Sequence, residues 1–162
     1  MSASITLREA RSEDQPFLLR LYSDVRGPEM SAWGWPPSQR DAFLRMQFQA
    51  QRRSWQTAWP AASDAIVIEE NEPIGRRLVA SNAEGLHLVD IALLAPWRNR
   101  GIGSALLRAM LDECAAKGCP LLLHVLRGNP AQRLYVRMGF REIDASQMYV
   151  QMRWTPGAGQ TE

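Results

Sequence analysis

Apolar and polar residues alternate from Ile5 to Glu9, the period of a half-buried strand. From Ser12 to Val25 the period lengthens to that of a helix, with Phe17, Leu18, Leu21 and Val25 on one face and Ser12 placed to cap it. Gly27, Pro28, Gly34, Pro36 and Pro37 punctuate the next stretch, so Gly27 to Pro37 reads as a loop. A second helix is predicted from Ser38, with Asp41 in a box-like position three residues on, to about Trp55, and Phe43, Met46 and Ala50 fall at helical spacing. Ala65–Glu69 and Ile74–Ser81 read as strands around Glu70-Asn71-Glu72-Pro73, and Leu86 to Leu94 as a third. Ile102, Ala105, Leu106, Ala109 and Met110 mark an amphipathic helix that ends at Gly118. Leu121 to Leu126 is almost wholly apolar, as in a strand covered on both faces. A short helix comes next, with Asn129 as cap, Pro130 in the first position and Gly139 just past the end. Strands near Phe140–Asp144 and Gln147–Trp154 complete the pattern, and residues 155–162 read as a disordered tail.

The chain has 162 residues, which suits a single domain over residues 1–154 with a real core. Apolar residues make up 46% of it, which argues against disorder. A formal charge of +2, with arginines spread along the chain, gives no reason to expect nucleic acid as a partner. No apolar run approaches the roughly 20 residues of a membrane span, and the first residues carry no apolar signal core. Cys114 and Cys119 form neither a disulfide framework nor a zinc site, so a cytoplasmic setting without a metal is the default expectation.

The chemistry concentrates at Arg98-Asn99-Arg100-Gly101-Ile102-Gly103-Ser104, between a strand and a helix. Two glycines let the backbone turn tightly and approach a ligand. The unpaired N–H groups and dipole of the helix start favour an anion, and Arg98 and Arg100 add positive charge. A phosphate or pyrophosphate is the ligand class. Gly103-Ser104-Ala105 lacks the lysine of a Walker A loop, and Leu106 stands where a dinucleotide fingerprint needs its third glycine. The remaining pattern, Gln/Arg-x-x-Gly-x-Gly/Ala, is met by Arg98, Gly101 and Gly103. Asn129-Pro130-Ala131-Gln132-Arg133-Leu134-Tyr135-Val136-Arg137-Met138-Gly139-Phe140 supplies a second motif after one helix and one strand. Together, over residues 86 to 140, the two resemble the cofactor motifs of the GNAT superfamily of acetyl-CoA-dependent N-acetyltransferases.

That resemblance implies an α/β (α+β) fold, a mixed central sheet of about seven strands flanked by about four helices in the order β-α-α-β-β-β-α-β-α-β-β. It implies direct transfer of acetyl from acetyl-CoA to a primary amine on a small molecule or peptide. Tyr135 matches the tyrosine that protonates the departing thiolate. A backbone N–H near Leu93 or Leu94 is expected to bind the oxyanion, and the loop Arg98, Asn99, Arg100, Gly101, Ile102, Gly103, Ser104 the pyrophosphate. Asn129 and Arg133 are expected at the pantetheine or the 3′-phosphate end, with Asn129 open to a purely capping role. Asp90 interrupts the apolar run Leu88-Val89-Asp90-Ile91-Ala92-Leu93, where a carboxylate is costly without a partner or a wet cleft, so it is a candidate base or cation holder. His87 and His124 are further titratable candidates, and a water chain without a dedicated base is the other option. Acceptor sites of this superfamily are built by the first two helices and their loop, which here hold Glu29, Trp33, Trp35, Gln47, Gln51, Trp55 and Trp59. Trp33 and Trp35 beside Glu29 could enclose an amine, or could pack the loop. A non-catalytic acyl-CoA-binding module is the alternative function. Dimers are common among such folds, and no residue decides that point.

Overall fold

The computed structural model describes residues 4–157. Its strands and helices follow the predicted order: β1 (Ile5–Glu9), α1 (Gln15–Ser31), α2 (Pro37–Ala58), β2 (Ser63–Glu69), β3 (Glu72–Asn82), β4 (Gly85–Leu93), α3 (Ile102–Lys117), β5 (Leu121–Leu126), α4 (Ala131–Arg137), β6 (Arg141–Ala145) and β7 (Tyr149–Trp154). The strands hydrogen-bond in the order β1-β2-β3-β4-β5-β7-β6. The sheet is mixed: β1 and β2 are antiparallel, as are β5 with β7 and β6 with β7, whereas β4 and β5 are parallel because α3 carries the chain back between them. Of the predicted tail, residues 158–162 lie outside the described residues. Two compact units are distinguished, residues 4–78 with 90–103, and residues 79–89 with 104–157.

In the first unit, Leu18 of α1, Phe48 of α2 and Ile66 of β2 form a buried cluster. Glu70 and Asn71, at φ 50° and 70°, make the two-residue turn between β2 and β3, where left-handed residues match the twist of a hairpin. The loop predicted from Gly27 to Pro37 is much shorter, because α1 runs on through Gly27 and Pro28 to Ser31. Burial of Met30, 1% exposed, outweighs the poor helix propensity of Gly27-Pro28, and Arg26 ties to Glu29 one turn on. The chain then turns at Gly34, φ +74°. Helix α2 begins at Pro37 after an extended Pro36 that offers no side-chain cap, one residue before the predicted Ser38 start. Its buried face is Leu44 and Phe48, whereas Met46 of the predicted face is 57% exposed.

Ser12 is not the cap of α1. Asp14 organises that corner: its carboxylate accepts the Arg11 backbone N–H at 2.7 Å and both Arg8 Nη groups at 2.8 Å. The hydrogen bond from Arg8 holds the Asp14 carboxyl down at about 2, below its ordinary 3.8. A depressed carboxyl stabilises the fold above its unfolded value and loses that contribution as pH falls from about 4 towards 2. Asp14→Asn is expected to cost about 1–3 kcal/mol in urea melts at pH 7. The gap to wild type should narrow at pH 3; an equal gap at both values would show that the ionised pair contributes nothing.

In the second unit, Leu86–Leu88 of β4 register with Leu121–Leu123 of β5, and β7 runs along the whole of β5 from Leu121↔Trp154 to Leu126↔Tyr149. Leu106, Leu107, Met110, Leu111 and Cys114 form the buried face of α3. Leu121, Leu122, Leu123 and Val125 are buried, but His124 and Leu126 are exposed, so β5 is covered on both faces only over its first half.

Candidate active site

The loop after β4 is fixed at its base. The Leu94 N–H donates to the Ile74 carbonyl at 2.8 Å. Asp24 of α1 accepts the Ala95 N–H at 2.8 Å and an Arg98 Nη at 2.9 Å, while Arg98 Nε donates to the Leu93 carbonyl at 2.8 Å. Trp97 Nε1 donates to Glu69 at 2.5 Å. Arg98 therefore anchors the end of β4 with the guanidinium that the sequence suggested for the pyrophosphate. Beyond this base Asn99 and Gly101 both adopt positive φ, 63° and 80°. Ile102, 6% exposed, pins the first residue of α3, and Arg100 and Gly101 are exposed. Gly103 is informative because its φ is not left-handed and an added Cβ would meet no protein atom within 4 Å. Neither the backbone nor packing requires glycine there, so the open space at the start of α3 fits a ligand that approaches the main chain closely.

Helix α4 holds Tyr135 by its C-terminal cap. Gly139 at φ +104° lets its N–H reach the Val136 carbonyl at 3.1 Å, and Phe140 N–H returns to the Tyr135 carbonyl at 3.0 Å. This pair of bonds is a Schellman motif, whose accompanying apolar contact is the Tyr135–Phe140 ring pair at 5.5 Å. The spacing Tyr-x-x-x-Gly-Phe is thus a cap that fixes the tyrosine's backbone and ring together. At the other end the Asn129 side chain accepts the Ala131 N–H at 2.8 Å, the capping role, although α4 itself begins two residues later. Arg133, and Arg137 one turn on, line an open groove of about 620 Å³ with Gly128, Asn129 and Gln132. Arg137 was not singled out from the sequence, though its spacing from Arg133 is that of two side chains on one helix face.

Asp90 lies in the first unit, in a cleft of about 80 Å³ that also holds Tyr22, Arg26, Gln51 and Arg76 over apolar walls of Leu18, Leu21, Val25 and Ala92. Burial pushes its carboxyl up from 3.8 to about 6; Arg76 pulls it down, Asp64 pushes it up, and the Ile91 N–H lowers it slightly. Arg76 is held on two sides, by a bidentate pair with Asp64 at 2.8 and 3.0 Å and by the Trp55 ring 5.1 Å from its guanidinium carbon. Tyr22, Arg26 and Arg76 were not anticipated. Arg76 gave the same signal as Asp90, a charge inside an apolar strand, and Tyr22 and Arg26 are an i, i+4 pair on α1.

The other expected acceptor residues fall elsewhere. Trp33, 55% exposed, packs on Trp35 at 5.7 Å, and Trp35 meets Phe43 edge-on at 5.1 Å, so the two tryptophans close the α1–α2 turn. Glu29 pairs with Arg26 at 3.2 Å on the surface. His87 is buried against Asn82, 3.0 Å away, and burial lowers its pKa. His124 sits on the exposed side of β5 beside Asp144, Tyr149 and Gln151.

These features coincide with a known family. Residues 19–140 match the model of the acetyltransferase (GNAT) family. The chain belongs to that family, and its mixed seven-stranded sheet with four helices is the fold of the family's solved structures. Among similar proteins, the [Ribosomal protein bS18]-alanine N-acetyltransferase of Haemophilus influenzae is 32% identical over 84 residues, 51% of this chain and 58% of that protein. The chain thus spans little more than half the length of this curated relative. The PaiA N-acetyltransferase of Thermoplasma acidophilum, solved with coenzyme A, superposes with a TM-score of 0.69 at 18% identity, covering 96% of this chain and 99% of that one. The ribosomal-protein-S18-alanine N-acetyltransferase of Escherichia coli superposes at 0.62 with 17% identity, covering 98% of each. Among the described residues no helix is long and apolar enough to cross a membrane, and no cluster of three or more His, Cys, Asp or Glu could hold a metal.

Proposed function

We propose that this chain transfers the acetyl group of acetyl-CoA to a primary α-amine in a ternary complex, in the cytoplasm. The observation that carries the reading is the loop opening α3, with its two left-handed residues and, at Gly103, a glycine that neither its φ nor packing requires. Its main-chain N–H groups from Gly101 to Ser104 hold the pyrophosphate, with Arg100 adding charge and Arg98 and Asn99 shaping the turn. Arg133 and Arg137 take the far phosphate end beside the Asn129-capped helix. The relative solved with coenzyme A supports this choice of donor, and the relative named for alanine acetylation supports an α-amine as acceptor.

Bound acetyl-CoA supplies the thioester. Asp90 accepts the proton that the acceptor ammonium must lose before its nitrogen attacks the carbonyl carbon. The Leu93 N–H is the donor to the oxygen that gains charge as the C–N bond forms, since the Leu94 N–H is already bonded to Ile74 and successive strand residues direct their N–H groups to opposite edges. As the C–S bond breaks, the Tyr135 hydroxyl gives its proton to the sulfur. Asp90 passes its first proton to water before it takes the second amine proton by the same route, and Tyr135 recovers a proton from water, so the products are the amide, the free thiol and one released proton.

The test is a panel of α-amines with thiol release followed against pH. Protonation of the acceptor alone makes kcat/KM fall as a first power of proton concentration. Asp90 adds a second power below about pH 6. Asp90→Asn should remove that extra limb and lower kcat/KM by about 10²-fold at pH 7.5. It should also raise stability at pH 7 by about 1–2 kcal/mol, because a carboxyl whose folded value is raised destabilises the fold once pH rises past it. An unchanged limb would discard Asp90 as the base. Binding of acetyl-CoA without turnover on any amine would leave only an acyl-CoA-binding module.

A further inference from the structure

The cleft around Asp90 holds two guanidinium groups, and they are held very differently. Arg76 is locked: it is 7% exposed, bidentate to Asp64 and stacked on Trp55. Its charge is spoken for inside the protein. Arg26 is exchangeable. Its side chain is 40% exposed and its carboxylate partner, Glu29, is 61% exposed, with one contact at 3.2 Å. Such exposed pairs contribute little to stability and are readily exchanged. The phenol of Tyr22 at 3.2 Å and its ring 5.6 Å away keep the Arg26 guanidinium at the cleft.

Building on the acetyl-transfer reading, we propose that Arg26 reads a carboxylate beside the reacting amine, so that the acceptor is a free α-amino acid with an apolar side chain. The amine goes to Asp90, the carboxylate displaces Glu29 from Arg26, and the side chain lies on Leu18, Leu21 and Ala92. Arg–carboxylate pairing in a partly enclosed site is shorter and stronger than the surface pair it replaces. A diamine or polyamine is disfavoured, because its second positive charge would meet two guanidinium groups and one unshared carboxylate. A peptide N-terminus presents an amide carbonyl where Arg26 expects charge.

The experiment compares L-leucine, L-leucinamide and 3-methylbutylamine, in acetyl transfer and in calorimetric binding to the full chain. Leucine should exceed leucinamide in kcat/KM by about tenfold or more, even though the amide carries more free amine at neutral pH. Arg26→Gln should cut leucine turnover and binding at least tenfold and bring the leucine-to-leucinamide ratio in turnover below one, the order that free amine alone would set. Glu29→Gln should move leucine the other way, by a gain of a fewfold. Retained acetyl-CoA binding in each variant reports an intact fold. Equal use and equal binding of all three probes by wild type, or a ratio that survives Arg26→Gln, overturns the role of Arg26. Selective leucine binding that Arg26→Gln abolishes, without turnover of any probe, upholds Arg26 and removes the transferase reading instead.

Discussion

Gly103→Val is expected to weaken acetyl-CoA binding at least about 100-fold, roughly 2.7 kcal/mol, in a calorimetric titration, while the protein melts no earlier than wild type. The two halves of that expectation come from one observation. An added Cβ at Gly103 would touch nothing in the protein, so the fold has no objection to a side chain. Glycine inside a helix costs about 0.5–1 kcal/mol relative to alanine, so Gly103→Ala should raise stability slightly while it weakens binding less than valine does. Gly101 should behave in the opposite way. Its φ of +80° is one that other residues adopt at a cost, so Gly101→Ala should lower stability by about 1 kcal/mol before any effect on ligand is counted. The paired substitutions separate a glycine the backbone needs from one the ligand needs. If Gly103→Val binds acetyl-CoA as wild type does, the pyrophosphate does not approach this turn and the donor site lies elsewhere.

The proposed donor half of the site could be assembled from the sequence because its signals are local. A glycine-rich turn, a helix start and a Schellman ending are each written within a dozen residues, and Gly101, Gly103, Asn129 and Gly139 occupy the positions the sequence suggests. The proposed acceptor half offered one signal only. Asp90 stood out as a charge in an apolar strand, but its neighbours Tyr22, Arg26, Gln51 and Arg76 come from α1, α2 and β3, and no short spacing connects them. The same distinction explains the errors in the fold. Gly27 and Pro28 announce a loop by local propensity, yet the burial of Met30 carries the helix past them. On α2 both Met46 and Phe48 are apolar, and only the packing against α1 and β2 decides that Phe48 faces inward. Arg98 shows a third kind of limit. A cation beside a candidate anion-binding turn looks like a ligand contact, and in the structure it is bonded to the distant Asp24.

Tyr135→Phe should lower kcat by about 10²–10⁴-fold and leave the KM for acetyl-CoA within about twofold. The substitution keeps two of the features that position Tyr135: the carbonyl that accepts Phe140 N–H is backbone, and the 5.5 Å ring contact is retained by phenylalanine. Its cost in stability should therefore be smaller than that of Gly139→Ala. There a Cβ at φ +104° would also press to 3.1 Å from the Trp154 ring, and both stability and kcat should fall. The chemistry adds a sharper criterion. A proton matters to the leaving sulfur only while the thiol outcompetes its thiolate, and an ordinary thiol has a pKa near ~8.5. The defect of Tyr135→Phe should be largest near neutral pH and shrink above about pH 8.5, where the thiolate departs unaided. A defect of the same size at pH 7 and pH 9.5 would mean that the hydroxyl positions the thioester and does not protonate it. No defect at either pH would take Tyr135 out of the reaction and return the α4 cap to a purely structural feature.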